Sequence, residues 1–125
     1  MFKKRWNSFG YAVSGIIDLL RTQPNAQIHV FTAIATTILG FLVSLSSTEW
    51  CLIALCCGAV IAAEAFNTAI EYTIDLVSPE HHLLAGKAKD VAAGGVLITA
   101  ISVVVVGVII FLPKIIVILN LILAK

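Results

Sequence analysis

The segment E-A-F-N-T-A-I-E-Y-T-I-D, residues 64–75, lies inside a long apolar run and yet contains three carboxylates and an amide. Residues three or four positions apart share a face of an α-helix, so these polar side chains form one stripe: Glu64, Asn67, Glu71 and Asp75. Carboxylates are costly to place in hydrocarbon and usually face a partner, a cavity or a metal ion. We therefore predict that this polar stripe is the working face of a membrane-embedded enzyme.

The composition indicates an integral membrane protein. Of the 125 residues, 60% are hydrophobic and 12% are charged, whereas a soluble domain is about half apolar and about a quarter charged. Eight basic and seven acidic residues give a net charge of +1, which argues against a nucleic-acid partner. We expect a single domain over residues 1–125. Because so short a chain encloses little of a site alone, we also expect a homo-oligomer.

The hydrophobic pattern divides the chain into a surface helix and three membrane spans. Residues 2–21 alternate apolar and polar positions at helical spacing, which is typical of an amphipathic helix in the lipid headgroup plane; packing on the protein's own bundle is the alternative. No signal peptide is expected, because this pattern follows the basic N-terminus directly. Pro113 is expected to end the last span, leaving a short re-entrant or interfacial tail. The predicted spans are about 28–45, 50–77 and 90–112, and the tail is 115–125.

The distribution of basic residues predicts the orientation. The turn near Ser46 has no basic residue, and only Lys114 and Lys125 share its side of the membrane. Because cytoplasmic segments are enriched in lysine and arginine, we place the N-terminus and the polar loop 78–90 in the cytoplasm. The basic residues on that side are Lys3, Lys4, Arg5, Arg21, Lys87 and Lys89.

This topology brings the polar stripe and the loop to one interface. Carboxylates beside lysines suit the binding of magnesium and phosphate, and the deeper Glu64 could deprotonate a lipid alcohol. From the spacing alone, a kinase and an ion-coupled oligomeric transporter both fit. Each residue also has a structural alternative: ion pairs with the loop lysines for Glu71 and Asp75, a contact between helices for Asn67, and an ordinary loop position for His81 and His82.

A resemblance to a known family favours the kinase. Residues 64–75, followed by H-x-L-A-G-K-A-K-D-V-A-A-G at residues 82–94, resemble the signature of the prokaryotic diacylglycerol kinases. These are small trimeric membrane kinases that include undecaprenol kinases. The resemblance extends from Gly10 through the third span. The branch with undecaprenol kinases is the more similar one in three segments: N-x-x-I-H (25–29), T-E-W (48–50) and I-I-F-L-P-K (109–114).

The resemblance implies an all-α homotrimer in the cell membrane of a prokaryote, multi-pass, with the N-terminus cytoplasmic. It also implies transfer of the γ-phosphoryl group of ATP, with Mg²⁺, to the hydroxyl of diacylglycerol or undecaprenol. Glu64 stands at the position of the catalytic base and Glu71 at that of a metal- and nucleotide-binding glutamate. Asn67 and Asp75 stand at supporting positions. The implied nucleotide-binding residues are Lys4, Tyr11, Glu71, Glu80, His81, His82, Lys89 and Asp90.

Gln23 departs from the family pattern. Many members have a second acidic metal ligand where this chain has Gln23. An amide oxygen can coordinate magnesium, but it brings no negative charge. A catalytically silent member of the family is therefore an alternative. The intact motifs of the second span and the loop favour an active kinase, with Gln23 and Glu71 as the metal ligands.

Overall fold

The chain forms a helical bundle without β-strands in the part that the structure describes. A computed structural model describes residues 2–80 and 82–124, with side chains from residue 6 onward. Three of the helices are long and apolar enough to cross a membrane, which confirms the predicted all-α membrane fold. The four helices are α1 (Phe2–Thr22), α2 (Pro24–Leu42), α3 (Ser47–Val77) and α4 (Leu83–Leu123).

A single extended residue, Gln23, separates α1 from α2. Pro24 opens α2, where the missing N–H of proline costs nothing because the first turn leaves it unpaired. The side-chain amide of Gln27 donates to the carbonyl oxygen of Leu20 at 2.9 Å and so satisfies one of the last carbonyls of α1. The chain therefore turns between the two helices at a corner fixed by backbone and side-chain hydrogen bonds.

The turn between α2 and α3 ends in a capping box. The hydroxyl of Ser46 accepts from the backbone N–H of Glu49, and the carboxylate of Glu49 accepts from the N–H of Ser46 at 2.7 Å. This reciprocal pair starts α3 at Ser47, three residues before the predicted start at Trp50. Ser44 takes a positive φ of 53° in the turn. The indole of Trp50 then packs on Gly40 and against Phe41, whose ring centroid lies 4.8 Å away.

Helix α4 corrects two of the predicted boundaries. It begins at Leu83, because Nδ1 of His82 caps it by accepting from the N–H of Leu84 at 3.2 Å, so most of the predicted loop 78–90 is helical. It also runs through Pro113 to Leu123, so the predicted end of a helix at Pro113 and a separate tail are wrong. Proline removes one backbone hydrogen bond, which an apolar helix tolerates where neighbouring contacts hold both sides.

Contacts on both sides of Pro113 hold α4 where it continues through the proline. Phe111 before it and Ile115 after it belong to one apolar cluster with α2 and α3. Lys114, the next residue, forms an ion pair with Glu49 at 3.2 Å. At about 1.5 Å per residue, the 41 residues of α4 extend roughly 61 Å, about twice the thickness of a bilayer core.

Helix α3 is the centre of the bundle. It packs along α4 over the longest contact and also contacts α2 and α1. The main apolar cluster lies near the turn between α2 and α3 and contains Leu45, Ile53, Ile110 and Phe111. The polar stripe lies at the opposite end of α3. Most other large apolar side chains of the long helices are exposed on the single chain, as expected of helices that face lipid or another subunit.

Candidate active site

The deepest part of the polar stripe is a buried carboxylate. Glu64 is 1% exposed, and its Oε2 atom has no hydrogen-bond partner among the described residues. The nearby hydroxyl of Thr68 donates to the backbone oxygen of Glu64 at 2.9 Å rather than to the carboxylate. A buried polar atom without a partner carries a desolvation penalty and needs an explanation. Glu64 therefore has a carboxylate oxygen whose capacity to accept a hydrogen bond is unused within the described part of the chain.

One turn further along α3, Asn67 orients Glu71. Nδ2 of Asn67 donates to Oε1 of Glu71 at 3.0 Å. Asn67 is 8% exposed, and its Oδ1 atom, like Oε2 of Glu64, is buried with no partner in the described part of the chain. The pair thus combines a carboxylate held by a hydrogen bond with an amide oxygen still able to accept one or to ligate a cation.

The stripe then reaches an exposed ion pair with α4. Lys89 pairs with Asp75, so the lysine of the second motif meets the last carboxylate of the first. Exposure rises along the stripe from 1% at Glu64 to 63% for the Asp75 side chain. Over the eleven residues from Glu64 to Asp75, about 16 Å of helix, the polar groups pass from a dry environment to a wet one.

Next to this ion pair, a cleft of about 260 Å³ lies between the end of α3 and the start of α4. It is slightly smaller than a typical pocket for a whole small molecule, so it fits part of a ligand. Four predicted site residues line it: Asp75, Glu80, His82 and Lys89.

Other predicted site residues lie apart from this cleft. Tyr11 is 76% exposed on α1, and Asp90 is exposed on α4 beside Lys89. Gln23 is half-buried at the corner between α1 and α2. His81 and the side chain of Lys4 fall outside the described residues. Within the described ranges, no three His, Cys, Asp or Glu side chains gather closely enough to hold a metal ion.

The structure adds a contact that the sequence did not reveal. The hydroxyl of Tyr72 donates to Oδ2 of Asp18 at 3.1 Å and lies 3.0 Å from the hydroxyl of Thr22. Thr22 precedes Gln23 and Tyr72 follows Glu71, so each predicted metal ligand is the sequence neighbour of a residue in this contact. The sequence contains one signal for this contact: Asp18 is the single acidic residue of the surface helix α1, whose other charged residues are basic.

The fold and the site together define an all-α membrane protein whose acidic stripe leads from a buried carboxylate to a lysine-bearing cleft. A family model described as "Prokaryotic diacylglycerol kinase" matches residues 10–111. The chain therefore belongs to the prokaryotic diacylglycerol kinase family, and it is a lipid kinase, a phosphotransferase of the diacylglycerol kinase type. This membership confirms the resemblance and the enzyme class predicted from the sequence.

Three relatives illustrate the range of similarity. The undecaprenol kinase of Bacillus subtilis is 47% identical over 109 residues, covering 87% of this chain and 89% of that protein. A diacylglycerol kinase of Synechocystis sp. is 41% identical over 107 residues, with 85% of this chain but 61% of the relative covered. A diacylglycerol kinase of Pseudomonas aeruginosa is 33% identical over 103 residues, covering 81% of this chain and 84% of the relative.

Proposed function

We propose that the protein transfers the γ-phosphoryl group of ATP to the hydroxyl of a membrane lipid at the cytoplasmic interface. The observation that carries this proposal is a carboxylate oxygen of Glu64 that has no partner among the described residues and is buried on the same stripe as the Asn67–Glu71 pair. A lipid hydroxyl arrives from the apolar side and a nucleotide from water, and the exposure gradient of the stripe suits both approaches.

In this proposal Glu64 is the general base. Its Oε2 atom accepts the proton of the lipid hydroxyl as the hydroxyl oxygen attacks the γ-phosphorus of ATP, whose bond to the bridging oxygen breaks so that ADP leaves. A base must lie within hydrogen-bond reach of the proton that it removes, and an oxygen already paired within the protein would have to break that bond first. The burial of Glu64 also keeps water away from the attacking position, which favours transfer to lipid over hydrolysis of ATP.

The residues present fit a magnesium site with few protein ligands. Magnesium usually binds through one or two protein carboxylates together with substrate phosphates and water, so the lack of a three-residue cluster in the described part of the chain is compatible with it. Glu71 would hold the ion, with Gln23 contributing an amide oxygen. Bound there, magnesium would neutralise charge on the phosphates. Asn67 fixes the direction in which the Glu71 carboxylate points.

Lys89 is the phosphate-binding cation in this proposal. Asp75 holds its ammonium group at the mouth of the cleft, where the ammonium can approach phosphate oxygens. Glu80 and His82 line the same cleft and would contact the rest of the nucleotide. Lys4, Tyr11, His81 and Asp90 remain predicted nucleotide contacts. Much of the rate enhancement would come from holding two immiscible substrates in line.

We favour undecaprenol over diacylglycerol as the lipid. The relative named undecaprenol kinase is the most identical of the three described above. Two segments that resemble that branch also meet in space, because Glu49 of T-E-W pairs with Lys114 of I-I-F-L-P-K. We further propose a homotrimer, supported by the exposed apolar faces of the single chain, in a prokaryotic cell membrane with the N-terminus in the cytoplasm.

Reconstituted protein and radiolabelled ATP test the proposal. Vesicles containing undecaprenol or diacylglycerol should give labelled lipid that depends on magnesium, with the larger yield from undecaprenol. Glu64→Gln should lower the rate by about 10²- to 10⁴-fold, the usual contribution of a general base. Glu49→Gln is the matched control: it removes a carboxylate and its ion pair with Lys114 at the other end of α3, while glutamine preserves the capping box, and it should keep the labelling activity.

Each alternative has its own outcome. Full activity of Glu64→Gln would refute the role of the base. No label in any lipid alcohol would favour a catalytically silent family member, and proton-coupled flux across the same vesicles would favour a transporter.

A further inference from the structure

Helix α1 is attached to the rest of the protein by few contacts. Among its described side chains, only Leu19 is buried. An open groove of about 460 Å³ lies between α1 and α3, and small residues form much of its wall: Ala12 and Gly15 on α1, Ala65 and Ala69 on α3. Small side chains let helices approach but supply little apolar contact, so the angle of α1 depends on other interactions.

Polar contacts at the end of this groove supply such an interaction. We call Tyr72, Asp18 and Thr22 the Tyr72 cluster. The hydroxyl of Tyr72 reaches Oδ2 of Asp18 at 3.1 Å and the hydroxyl of Thr22 at 3.0 Å, and Thr22 lies 2.9 Å from the backbone oxygen of Asp18. Two hydroxyl protons serve these three contacts, so two of the bonds form at a time. Tyr72 is the α3 residue of the cluster and thus joins α3 to α1.

The position of the cluster relates it to the nucleotide side of the site. Gln23, next to Thr22, is the single extended residue about which α1 would swing if it were released. Tyr11 lies further along the same helix, and Glu71 precedes Tyr72 on α3. A change in the angle of α1 about Gln23 would therefore move Tyr11 relative to Glu71. Glu64 belongs to α3 itself and lies two turns from Tyr72.

We propose that Tyr72, through Asp18 and Thr22, is a positioning residue that holds the surface helix, with its predicted nucleotide contact Tyr11, against α3; this inference rests on the proposed kinase function. Tyr72 touches neither substrate in this role. It sets where α1 places Tyr11. Its loss should weaken the use of ATP while leaving the chemistry at Glu64 intact.

Steady-state kinetics separate this role from a general loss of structure. Tyr72→Phe keeps the ring and removes the hydroxyl, and it should raise the KM for ATP about three- to tenfold, the range for an ordinary hydrogen bond, because exposure to water weakens the contact with the Asp18 carboxylate. The kcat at saturating ATP and the KM for lipid should change by less than about twofold. Asp18→Ala should raise the KM for ATP in the same way. Asp18→Asn keeps a hydrogen-bond acceptor and should therefore recover most of the affinity for ATP that Asp18→Ala loses. Thr73→Val is the matched control, because the Thr73 hydroxyl bonds only within its own helix, to Ala69.

Hydrogen exchange of the backbone amides gives a readout that does not need activity. Tyr72→Phe should speed exchange in residues 12–20 of α1 and leave α4 unchanged, whereas Thr73→Val should change neither. A raised KM together with faster exchange in α1 supports the proposal. Faster exchange with an unchanged KM overturns the positioning role, and so does an equal effect of Thr73→Val. If the unaltered protein labels no lipid, the proposed function itself fails, and the role in ATP use fails with it.

Discussion

Replacing Asn67 with leucine should separate catalytic function from stability. Asn67→Leu preserves side-chain size and removes the donor that holds Oε1 of Glu71 at 3.0 Å. A hydrogen bond to a charged group contributes about 1.5–3 kcal/mol, which corresponds to about 10- to 150-fold in a rate or equilibrium constant. Because Glu71 would then sample several orientations, we expect kcat/KM for ATP to fall within that range and the magnesium concentration for half-maximal activity to rise.

The same change should have little effect on folding. Asn67→Leu loses one hydrogen bond, but it also removes the buried Oδ1 atom that has no partner among the described residues and replaces it with apolar surface. Glu71 is only half-buried, so water can reach the carboxylate oxygen that Asn67 releases. These effects oppose one another, and we expect the free energy of unfolding to change by less than about 1 kcal/mol.

Initial rates of lipid labelling and thermal unfolding in the same detergent measure the two quantities. Asn120→Leu is the matched control, since Asn120 is an exposed amide in the last turns of α4 and should affect neither rate nor stability. The reasoning is refuted if Asn67→Leu keeps its kcat/KM within twofold of the unaltered protein. It is also refuted if activity is lost only in proportion to the unfolded fraction.

Two further predictions concern Gln23 and Gly40. Gln23→Glu should lower the magnesium concentration for half-maximal activity, because it restores a negative charge to the proposed metal site; an unchanged value in the labelling assay would remove Gln23 from that site. Gly40→Ala should reduce the free energy of unfolding by about 1–3 kcal/mol, because a Cβ atom there would lie 2.7 Å from the Trp50 ring. Gly58→Ala is its control in thermal unfolding, since nothing described lies within 4 Å of that Cβ position; equal loss in both variants would contradict the steric argument.

The sequence predicts features that depend on local periodicity. Three long apolar runs can satisfy their backbone hydrogen bonds in lipid only as helices or closed barrels, and helical spacing put Glu64, Asn67 and Glu71 on one stripe. The burial of Glu64 agrees with its predicted place as the deepest carboxylate of the stripe. The ion pair between Asp75 and Lys89 agrees with the structural alternative for Asp75, a pair with a loop lysine.

Features that depend on contacts between distant residues could not be predicted in the same way. Proline is a local signal for the end of a helix, but packing of Phe111 and Ile115 against other helices overrides it at Pro113. The partner of Tyr72, Asp18, lies 54 residues away in the sequence, and no periodic pattern connects the two. The start of α4 at Leu83 similarly depends on a cap from His82, which was interpreted as a loop residue.

The two ion pairs between α3 and α4 have a consequence for how the protein fits its bilayer. Asp75–Lys89 and Glu49–Lys114 lie 26 residues apart on α3 and 25 apart on α4, about 38 Å on each helix. This equal spacing resists sliding of α3 along α4, because a shift in either direction would break both ion pairs. In a membrane that is thinner or thicker than this distance, α3 and α4 should therefore tilt together as one body. The distance between Asp75 and Lys89 then stays the same in membranes of different thickness.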